Sequence, residues 1–321
     1  MQPLLYWGNR ETKRFECQAV GSELFRLFIM NVLLGMLTLG AYRFWGKTRV
    51  RQYLWSRISF DDEGFEYTGL GSELFRSFLG ALGILACLIA TSQGLEYGLS
   101  LVAPGFERMV TVAFSLALYL LAGIGAYSAR RYLLSHTCWR SIRFGLSGSS
   151  GNYAKNLLYS QLLNVLILGL YTPFRRNQLT SYQLNNTWFG SEQLVYDGKG
   201  RDLFRRFLLT YLLMIPTLGL IWFWYKAEEY RYIAAHTQLQ GARFAVTISA
   251  GQLMRLTLGN WLLLVCTLGL AYPLTLLRKA RALCLHFVVD GPVAYEAIAQ
   301  CEQPVVPVGE GLAGVFGVSG V

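Results

Sequence analysis

The sequence FECQAVGSELF, from Phe15 to Phe25, recurs almost unchanged as FEYTGLGSELF, from Phe65 to Phe75. The same register continues along the chain, with later equivalents of the final phenylalanine at Ala154, Phe204 and Met254. These five anchor residues are spaced by 50, 79, 50 and 50 residues, so the second copy carries a 29-residue insertion. A fixed period of this length indicates one supersecondary unit copied in tandem.

The period predicts how the chain is divided. We expect one repeat-built domain over residues 1–291, followed by a Gly- and Val-rich C-terminal tail over residues 292–321. The predicted copies lie near residues 15–64, 65–143, 144–193, 194–243 and 244–291.

The composition indicates a membrane protein. Hydrophobic residues make up 53% of the chain, charged residues make up 15%, and the mean hydropathy is +0.34. A soluble domain carries about 25% charged residues, so this chain lacks the polar surface that a soluble protein of its length needs. An integral membrane protein is therefore favoured over the alternative, a soluble all-helical protein.

The net charge of +10 points to contact with anionic membrane lipid, because basic residues collect on the cytoplasmic side of membrane proteins. Nucleic acid is not expected as a partner, since the basic residues lie beside apolar segments and not on a separate polar domain. The six cysteines form no CxxC pair and have no metal-ligand spacing, and we expect them to be reduced.

One copy of the repeat predicts a helical hairpin. An apolar helix runs from Gly21 to Leu37, and Thr38-Leu39-Gly40 is a predicted break. The segment from Ala41 to Ser56 mixes aromatic and basic residues, which is typical of an amphipathic helix at a membrane interface. A turn or small hairpin is expected between Ile58 and Tyr67. The predicted fold class is thus an all-α integral membrane protein built from helical hairpins with short β-turn linkers.

The insertion in the second copy predicts one full transmembrane hairpin. It extends two apolar stretches, Phe78–Leu101 and Met109–Ala129, which are joined through Pro104-Gly105. At about 1.5 Å per residue, each stretch can cross a hydrocarbon core of about 30 Å. The two ends of such a hairpin lie on the same side of the membrane. If the shorter copies are built alike, they form re-entrant or interfacial hairpins and every basic linker is cytoplasmic.

A six-helix arrangement, in which each short copy crosses the membrane once, is the alternative. The 21-residue run from Phe25 to Trp45 is long enough to allow it. It would place the linker over residues 172–207, which is rich in arginine, outside the cell. That location opposes the tendency of basic loops to stay in the cytoplasm.

Several quoted features resemble one family. These are the stretch NVLLGMLTLGAYRFWGKTRVRQYL over residues 31–54, the His-Thr helix ends, and the aromatic–Gly turn that leads into Glu-Leu-Phe. Together they are similar to the YjgN-like family of bacterial inner-membrane proteins of unknown function, over nearly the whole chain. The resemblance implies a multi-pass protein of the bacterial inner membrane and brings no catalytic residues. The third copy departs from the pattern with Tyr171-Thr172-Pro173, which puts a full repeat helix there in doubt.

A basic residue follows the anchor in every copy. An acid or amide lies three residues before it, where the two side chains can meet on one helix face. The structural interpretation is local pairing with snorkelling to the headgroups, and the functional interpretation is a ring of cations that binds lipid phosphate or an anionic substrate. The candidate lipid- or anion-binding residues are Arg26, Arg76, Lys155, Arg205 and Arg255.

All three histidines, His136, His236 and His286, occupy one position of the repeat. Arg57 and Asn186 occupy that position in the first and third copies. A polar residue that ends the amphipathic helix explains the pattern, and a shared metal site or proton relay is the alternative. Zinc needs about four ligands, and no cysteine or carboxylate recurs beside this position, so we expect no metal and no cofactor.

Three classes of function follow. Internal repeats and re-entrant segments occur in transport folds, so a transporter or channel for a small solute or ion is the first candidate. The second is a lipid-interacting or envelope-organising membrane protein without transport activity. The third is an enzyme that acts on lipids. It is not expected, because no metalloprotease motif, paired acids or Ser/His/Asp set stands out.

Overall fold

The computed structural model describes residues 12–103, 105–291 and 298–300. Two helices followed by short strands recur along the chain after a first strand. The helices are α1 (Gly21–Leu37), α2 (Arg43–Ser56), α3 (Gly71–Val102), α4 (Glu107–Ser135), α5 (Ser150–Leu166), α6 (Thr172–Leu184), α7 (Gly200–Leu213), α8 (Ile221–Ala235), α9 (Ala250–Cys266) and α10 (Tyr272–His286). The strands are β1 (Thr12–Cys17), β2 (Ile58–Phe60), β3 (Glu63–Tyr67), β4 (Thr137–Trp139), β5 (Ile142–Leu146), β6 (Thr187–Phe189), β7 (Glu192–Gln193), β8 (Val195–Tyr196), β9 (Thr237–Leu239), β10 (Ala242–Val246) and β11 (Phe287–Asp290).

The eleven strands in the described part of the chain form one antiparallel sheet that nearly closes on itself. Its order is β7-β6-β5-β4-β3-β2-β1-β11-β10-β9-β8. Strand β1 pairs with β11, with Thr12 opposite Asp290, so strands from far apart in the chain lie together. The two edge strands, β7 and β8, are separated in sequence by Leu194 alone. The sheet therefore has the form of a small barrel with a single break.

This sheet overturns the predicted all-α fold. The predicted β-turn linkers are strands, and each hairpin pairs with the hairpins of the neighbouring units. The strands are only 2–6 residues long, which is too short for an alternating pattern of apolar and polar residues to reveal them. Several of the hairpins turn through two residues with positive φ, such as Asp61 (φ 54°) and Asp62 (φ 63°), as type I′ turns require.

Aromatic and aliphatic side chains fill the interior of the sheet. One buried cluster takes the same register position from every unit: Phe60, Trp139, Phe189, Leu239 and Val289. A second layer packs against it and consists of Phe15, Phe65, Phe144, Leu194 and Phe244. The rings are in close contact, with centroids 4.6 Å apart for Phe15 and Phe60 and 4.7 Å apart for Phe144 and Phe189. Burial of these rings is the main force that holds the five hairpins together.

The ten helices of the described residues form a closed ring, in which each helix packs on the next and α10 packs on α1. The even-numbered helices α2, α4, α6, α8 and α10 make the substantial contacts with the strands, and we call them the inner helices. The odd-numbered helices, which we call the outer helices, carry most of the exposed large hydrophobic residues. The third unit forms its inner helix despite the departure at Tyr171-Thr172-Pro173, because Pro173 lies in the first turn of α6.

The Thr-Leu-Gly sequences form the turns between outer and inner helices. Leu39 (φ 50°) and Gly40 (φ 88°) both have left-handed backbone conformation. The Gly40 N–H donates to the Gly35 carbonyl at 2.7 Å, and the Thr38 hydroxyl donates to the Leu34 carbonyl at 2.8 Å. These bonds satisfy carbonyls at the end of α1, as in a Schellman-type helix end.

Every helix pair begins and ends at the one sheet. Alternate linkers therefore cannot lie on opposite sides of a membrane, which excludes the six-helix arrangement. Within the described residues, α3 and α4 are the two helices that are long and apolar enough to span a bilayer. The other helices have 13–17 residues, fewer than the approximately 20 that a spanning helix needs.

The division into a domain over residues 1–291 and a tail stays a prediction. Of the tail over residues 292–321, only residues 298–300 belong to the described part of the chain. There Ile298 joins the core of the sheet, and the Ala299 N–H donates to the Ser191 hydroxyl at 3.3 Å.

Candidate functional site

The five predicted cations lie at equivalent places on the outer helices. Each is the sixth residue of its helix and each is exposed. With a rise of 1.5 Å per residue, they lie about 8 Å from the sheet end of the helices. We call this set the cation girdle, and it consists of Arg26, Arg76, Lys155, Arg205 and Arg255.

Apolar side chains cover the outer helices between the cation girdle and the turns. On α1 alone, Met30, Leu33 and Leu37 are 50%, 57% and 81% exposed. The turns themselves present one leucine each, with exposures of 98% for Leu39, 79% for Leu168, 91% for Leu218 and 95% for Leu268. A contiguous exposed apolar surface of this kind marks a membrane or protein contact.

The acidic residues beside the cation girdle face the inner helices instead. Glu23 pairs with Arg57 at 3.3 Å, and Glu73 lies 3.4 Å from Nε2 of His136. Asp202 accepts a hydrogen bond from the Tyr232 hydroxyl at 2.7 Å. The predicted pairing of each acid with the cation three residues later is therefore replaced by a bond between the two helices of one unit.

A tyrosine near the end of the inner helix fixes the start of the outer helix. The Tyr53 hydroxyl accepts from the Val20 N–H at 2.9 Å, and the Tyr232 hydroxyl accepts from the Lys199 N–H at 2.7 Å. Tyr132 and Tyr182 accept in the same way from Leu70 and Ser149, at 3.3 and 3.0 Å. The regular spacing of these tyrosines is visible in the sequence. Their role as caps of the outer helices is not, because it depends on hydrogen bonds between residues that are far apart in the chain.

The fifth unit has Ala282 at the tyrosine position and starts its outer helix differently. Ser249 and Gln252 form a capping box, in which the Ser249 N–H donates to Gln252 Oε1 at 2.8 Å and the Gln252 N–H donates to the Ser249 hydroxyl at 3.3 Å. Two local hydrogen bonds thus replace the tyrosine as the cap of α9.

The three histidines stay apart at the ends of three inner helices. His136 and His236 are the C-caps of α4 and α8, with Nδ1 at 2.8 and 2.9 Å from the carbonyl oxygens of Tyr132 and Tyr232. His286 ends α10, and burial lowers its pKa. The described part of the chain holds no cluster of three or more His, Cys, Asp or Glu residues that could bind a metal.

A basic cavity of about 640 Å³ lies between α1, α2 and α10. Arg43, Lys47 and Arg51 line it at intervals of four residues along α2. Arg51 is 2% exposed and donates to the Tyr67 hydroxyl at 3.1 Å. Several cations on one wall can hold an anion. The basic character of α2 was visible in the sequence, whereas the cavity depends on how α10 packs on α1.

A buried carboxylate joins α6 to α8. Glu229 is 3% exposed and accepts from Arg176 at 3.0 Å and from Lys226 at 2.6 Å. Burial raises the pKa of Glu229, and the charge of Arg176 opposes that rise. Because both cations belong to the inner helices, this group acts as a structural link.

A second cavity, of about 490 Å³, lies between α8, α9 and α10 and is almost entirely apolar. Leu253, Leu256 and Ile248 form its outer wall, and Phe244 and Phe287 form its floor on the sheet. Its volume falls in the range of about 300–1,000 Å³ that is typical of small-molecule sites. This cavity could not be predicted from the sequence, because its walls include residues of α6, α8, β10, α9 and α10 as well as Leu194.

Comparison with known proteins places the chain in a family. A family model described as "Bacterial protein of unknown function (DUF898)" matches residues 12–221 and 209–315. No curated protein and no solved structure gives a significant match. The two matched segments cover nearly the whole chain, including the sheet, the cation girdle and both cavities. The chain therefore belongs to the DUF898 family of bacterial proteins of unknown function, in agreement with its resemblance to YjgN-like proteins.

Proposed function

We propose that this protein is a lipid-interacting protein of the bacterial inner membrane, anchored by α3 and α4 and without enzymatic activity. The observation that carries the proposal is the cation girdle at the border of the exposed apolar surface. Anionic headgroups would contact the cations, and acyl chains would cover the apolar residues beyond them.

Helix lengths support different depths of insertion for the two kinds of hairpin. From Arg76 to Val102 there are 26 residues, or about 39 Å of helix, which exceeds the hydrocarbon thickness of about 30 Å. From Arg26 to Leu39 there are 13 residues, or about 20 Å. The α3–α4 pair would cross the bilayer, and the short pairs would end inside it, with the sheet on the cytoplasmic side.

The first test compares two sets of arginines with equal charge. Arg26, Arg205 and Arg255 belong to the cation girdle, whereas Arg14, Arg143 and Arg243 are exposed on the sheet. Changing the first set to Gln should reduce the phosphatidylglycerol and cardiolipin that co-purify, because each cation near an anionic surface contributes about 1 kcal/mol. Lipid is counted by mass spectrometry after extraction in mild detergent.

The matched control is the change of Arg14, Arg143 and Arg243 to Gln, which removes the same three charges from the sheet. It should leave more anionic lipid bound than the girdle variant does. Equal retention in the two variants, or retention unchanged from the parent protein in the girdle variant, would contradict the proposal.

A second test determines on which side of the membrane the sheet lies. In a cysteine-free background, Ser141→Cys and Ser191→Cys on the sheet should be protected from an impermeant thiol reagent in sealed cells. Ser100→Cys, at the far end of α3, should be labelled from outside. Labelling of the two sheet positions from outside would place the sheet in the periplasm.

The basic cavity favours a second candidate, a carrier for a small anion. Its support is the row of Arg43, Lys47 and Arg51 on the cavity wall. A channel along the axis of the sheet is not proposed, because the interior is filled with side chains. Uptake of radiolabelled phosphate or sulfate into proteoliposomes, lost on Lys47→Gln, would support the carrier over the lipid-interacting protein.

A further inference from the structure

Neighbouring inner helices are separated by gaps, and in four of the five gaps a tyrosine of an inner helix contacts the start of an outer helix. The gap between α6 and α8 and the gap between α2 and α4 each hold a second tyrosine, which comes from the sheet. Tyr232 from α8 contacts the start of α7, and Tyr196 from the sheet is 4% exposed beneath it. In the gap between α2 and α4, Tyr132 and Tyr67 take these two places and are 1% and 6% exposed.

The gap between α8 and α10 departs from this pattern at both places. Ala282 stands where the other four units have a tyrosine on the inner helix. Val246 stands where the second and fourth units have Tyr67 and Tyr196, and the first and third units have Cys17 and Leu146 there. Both residues line the apolar cavity of about 490 Å³. The cavity therefore lies at the place that two tyrosines occupy in the gap between α2 and α4 and in the gap between α6 and α8.

A third replacement adds an apolar wall to the same gap. Gly69 and Gly198 leave room for the tyrosines two residues before them, since a Cβ there would lie 2.5 Å from the Tyr67 hydroxyl oxygen and would overlap that of Tyr196. The equivalent residue of the fifth unit is Ile248, which is 8% exposed and lines the cavity. Three linked replacements thus make this gap open and apolar.

The chemistry of the walls selects an apolar ligand with an anionic end. Of the lining residues, only Tyr230, Thr237, Lys279 and His286 carry polar side-chain atoms. Lys279 is exposed, and burial lowers the pKa of His286, which favours its neutral form. The walls thus offer apolar contact and one exposed cation at the rim.

The cavity also continues into the surface that the proposed function places in lipid. Its outer wall, Leu253 and Leu256, brackets the girdle residue Arg255 on α9. One and two turns further along α9, Leu258 and Trp261 are 44% and 63% exposed. A chain that enters from the bilayer beside this helix would meet Arg255 and Lys279 at the headgroup level.

We propose that the cavity between α8, α9 and α10 binds an acyl chain of an anionic membrane phospholipid, with its phosphate near Lys279 and Arg255. The inference rests on the proposed function, because that function places α9 against the bilayer. It goes further by assigning one specific lipid site to one of five similar gaps.

The experiment uses the full-length protein in nanodiscs with two photoactivatable probes. One is phosphatidylglycerol with a diazirine on an acyl chain, and the other is diazirine-labelled palmitate. Cross-linked residues are identified by mass spectrometry of peptides. The phosphatidylglycerol probe should label peptides from α9 and α10 around Leu253, Leu256 and Leu283.

Restoring the missing tyrosine is the decisive variant. Ala282→Tyr should lower labelling of these peptides about tenfold, which corresponds to about 1.4 kcal/mol. Ala235→Tyr, at an exposed position of α8 outside the cavity, is the matched control and should leave labelling unchanged. If Ala282→Tyr does not fold, Leu256→Trp fills the cavity from the opposite wall and should have the same effect.

Unchanged labelling in the filled variants, or labelling confined to other peptides, would overturn the inference. Labelling by palmitate but not by the phosphatidylglycerol probe would overturn the assignment to a phospholipid. The failure of this site is distinguishable from failure of the proposed function, because retention of anionic lipid by the cation girdle is measured separately and does not require the cavity.

Discussion

The two ends of the helical ring use repeated apolar residues in opposite ways. At the sheet end, equivalent residues of the five units face one another, and Trp139 is 3% exposed. At the turn end, equivalent leucines face away from the protein, and Leu39 and Leu268 are 98% and 95% exposed. The repeat thus encodes its own core at one end and leaves the other end without one. The turn end needs an apolar neighbour that the chain does not supply.

The largest expected effect is on the sheet end. Trp139 contacts the rings of Phe60 and Phe189, and its indole N–H lies 3.2 Å from the carbonyl oxygen of Phe60. Trp139→Ala should lower the free energy of unfolding by about 3–5 kcal/mol through lost burial and a new cavity. Thermal unfolding in mild detergent measures the change.

The control is Leu268→Ala at the turn end, which should change stability by no more than about 0.5 kcal/mol. A loss for Leu268→Ala as large as the loss for Trp139→Ala would mean that the turn leucines have a protein partner, and the contrast between the two ends would disappear.

The turns between outer and inner helices should lie within the bilayer. A leucine that moves from water into hydrocarbon gains about 1.5–3 kcal/mol, which is sufficient to hold a turn in the bilayer. A fluorophore on Leu218→Cys should therefore be quenched by brominated acyl chains and protected from aqueous iodide in nanodiscs. The same fluorophore on Ser141→Cys at the sheet should behave in the opposite way. Strong iodide quenching at position 218 would place the turns in water.

The sequence predicted the local features of this fold much better than its assembly. Some signals lie within a few residues of the sequence, such as the insertion, the Pro104-Gly105 connection and the Thr-Leu-Gly breaks. The helices α1, α3 and α4 begin or end close to these signals. The sheet could not be predicted, because its strands are short and because β1 pairs with β11, which lies at the other end of the chain. Closure of the ring depends on contacts of this kind, which carry no local signal.

The candidate site also contains features that local sequence predicts and features that depend on how distant segments pack. The cation girdle was predicted as a set because a cation follows each anchor, and one register position suffices to find it. The spacing allows Glu23 and Glu73 to meet the cations three residues later on the same helix, whereas in the structure they contact Arg57 and His136. Spacing along one helix carries no information about the helix that packs beside it. The apolar cavity could not be predicted, because Ala282, Val246 and Ile248 become informative only by comparison with the residues at these positions in the other units.

A smaller effect is expected at the start of an outer helix, beside the sheet. The Tyr232 hydroxyl accepts from the Lys199 N–H and donates to Asp202, so it caps the start of α7. Tyr232→Phe keeps the ring and removes these bonds, which should cost about 0.5–1.5 kcal/mol in thermal unfolding. Tyr159→Phe, at a position that is 61% exposed, should be neutral. A neutral Tyr232→Phe would show that packing alone fixes the outer helix.

The smallest expected effect is the pH dependence of His286. Burial lowers the pKa of this histidine below its ordinary value near 6.5, so the folded protein binds a proton less readily than the unfolded chain. The corresponding stability is present above pH 6.5 and is lost as the pH falls. His286→Asn, which places there the residue found at the equivalent Asn186, removes the titrating group. The drop in thermal stability between pH 7.5 and pH 5.5 should therefore be smaller in the variant than in the parent protein, by a modest amount because the side chain is only partly buried. An identical drop in both proteins would show that His286 keeps its ordinary pKa and that the wall of the apolar cavity is open to water at this residue.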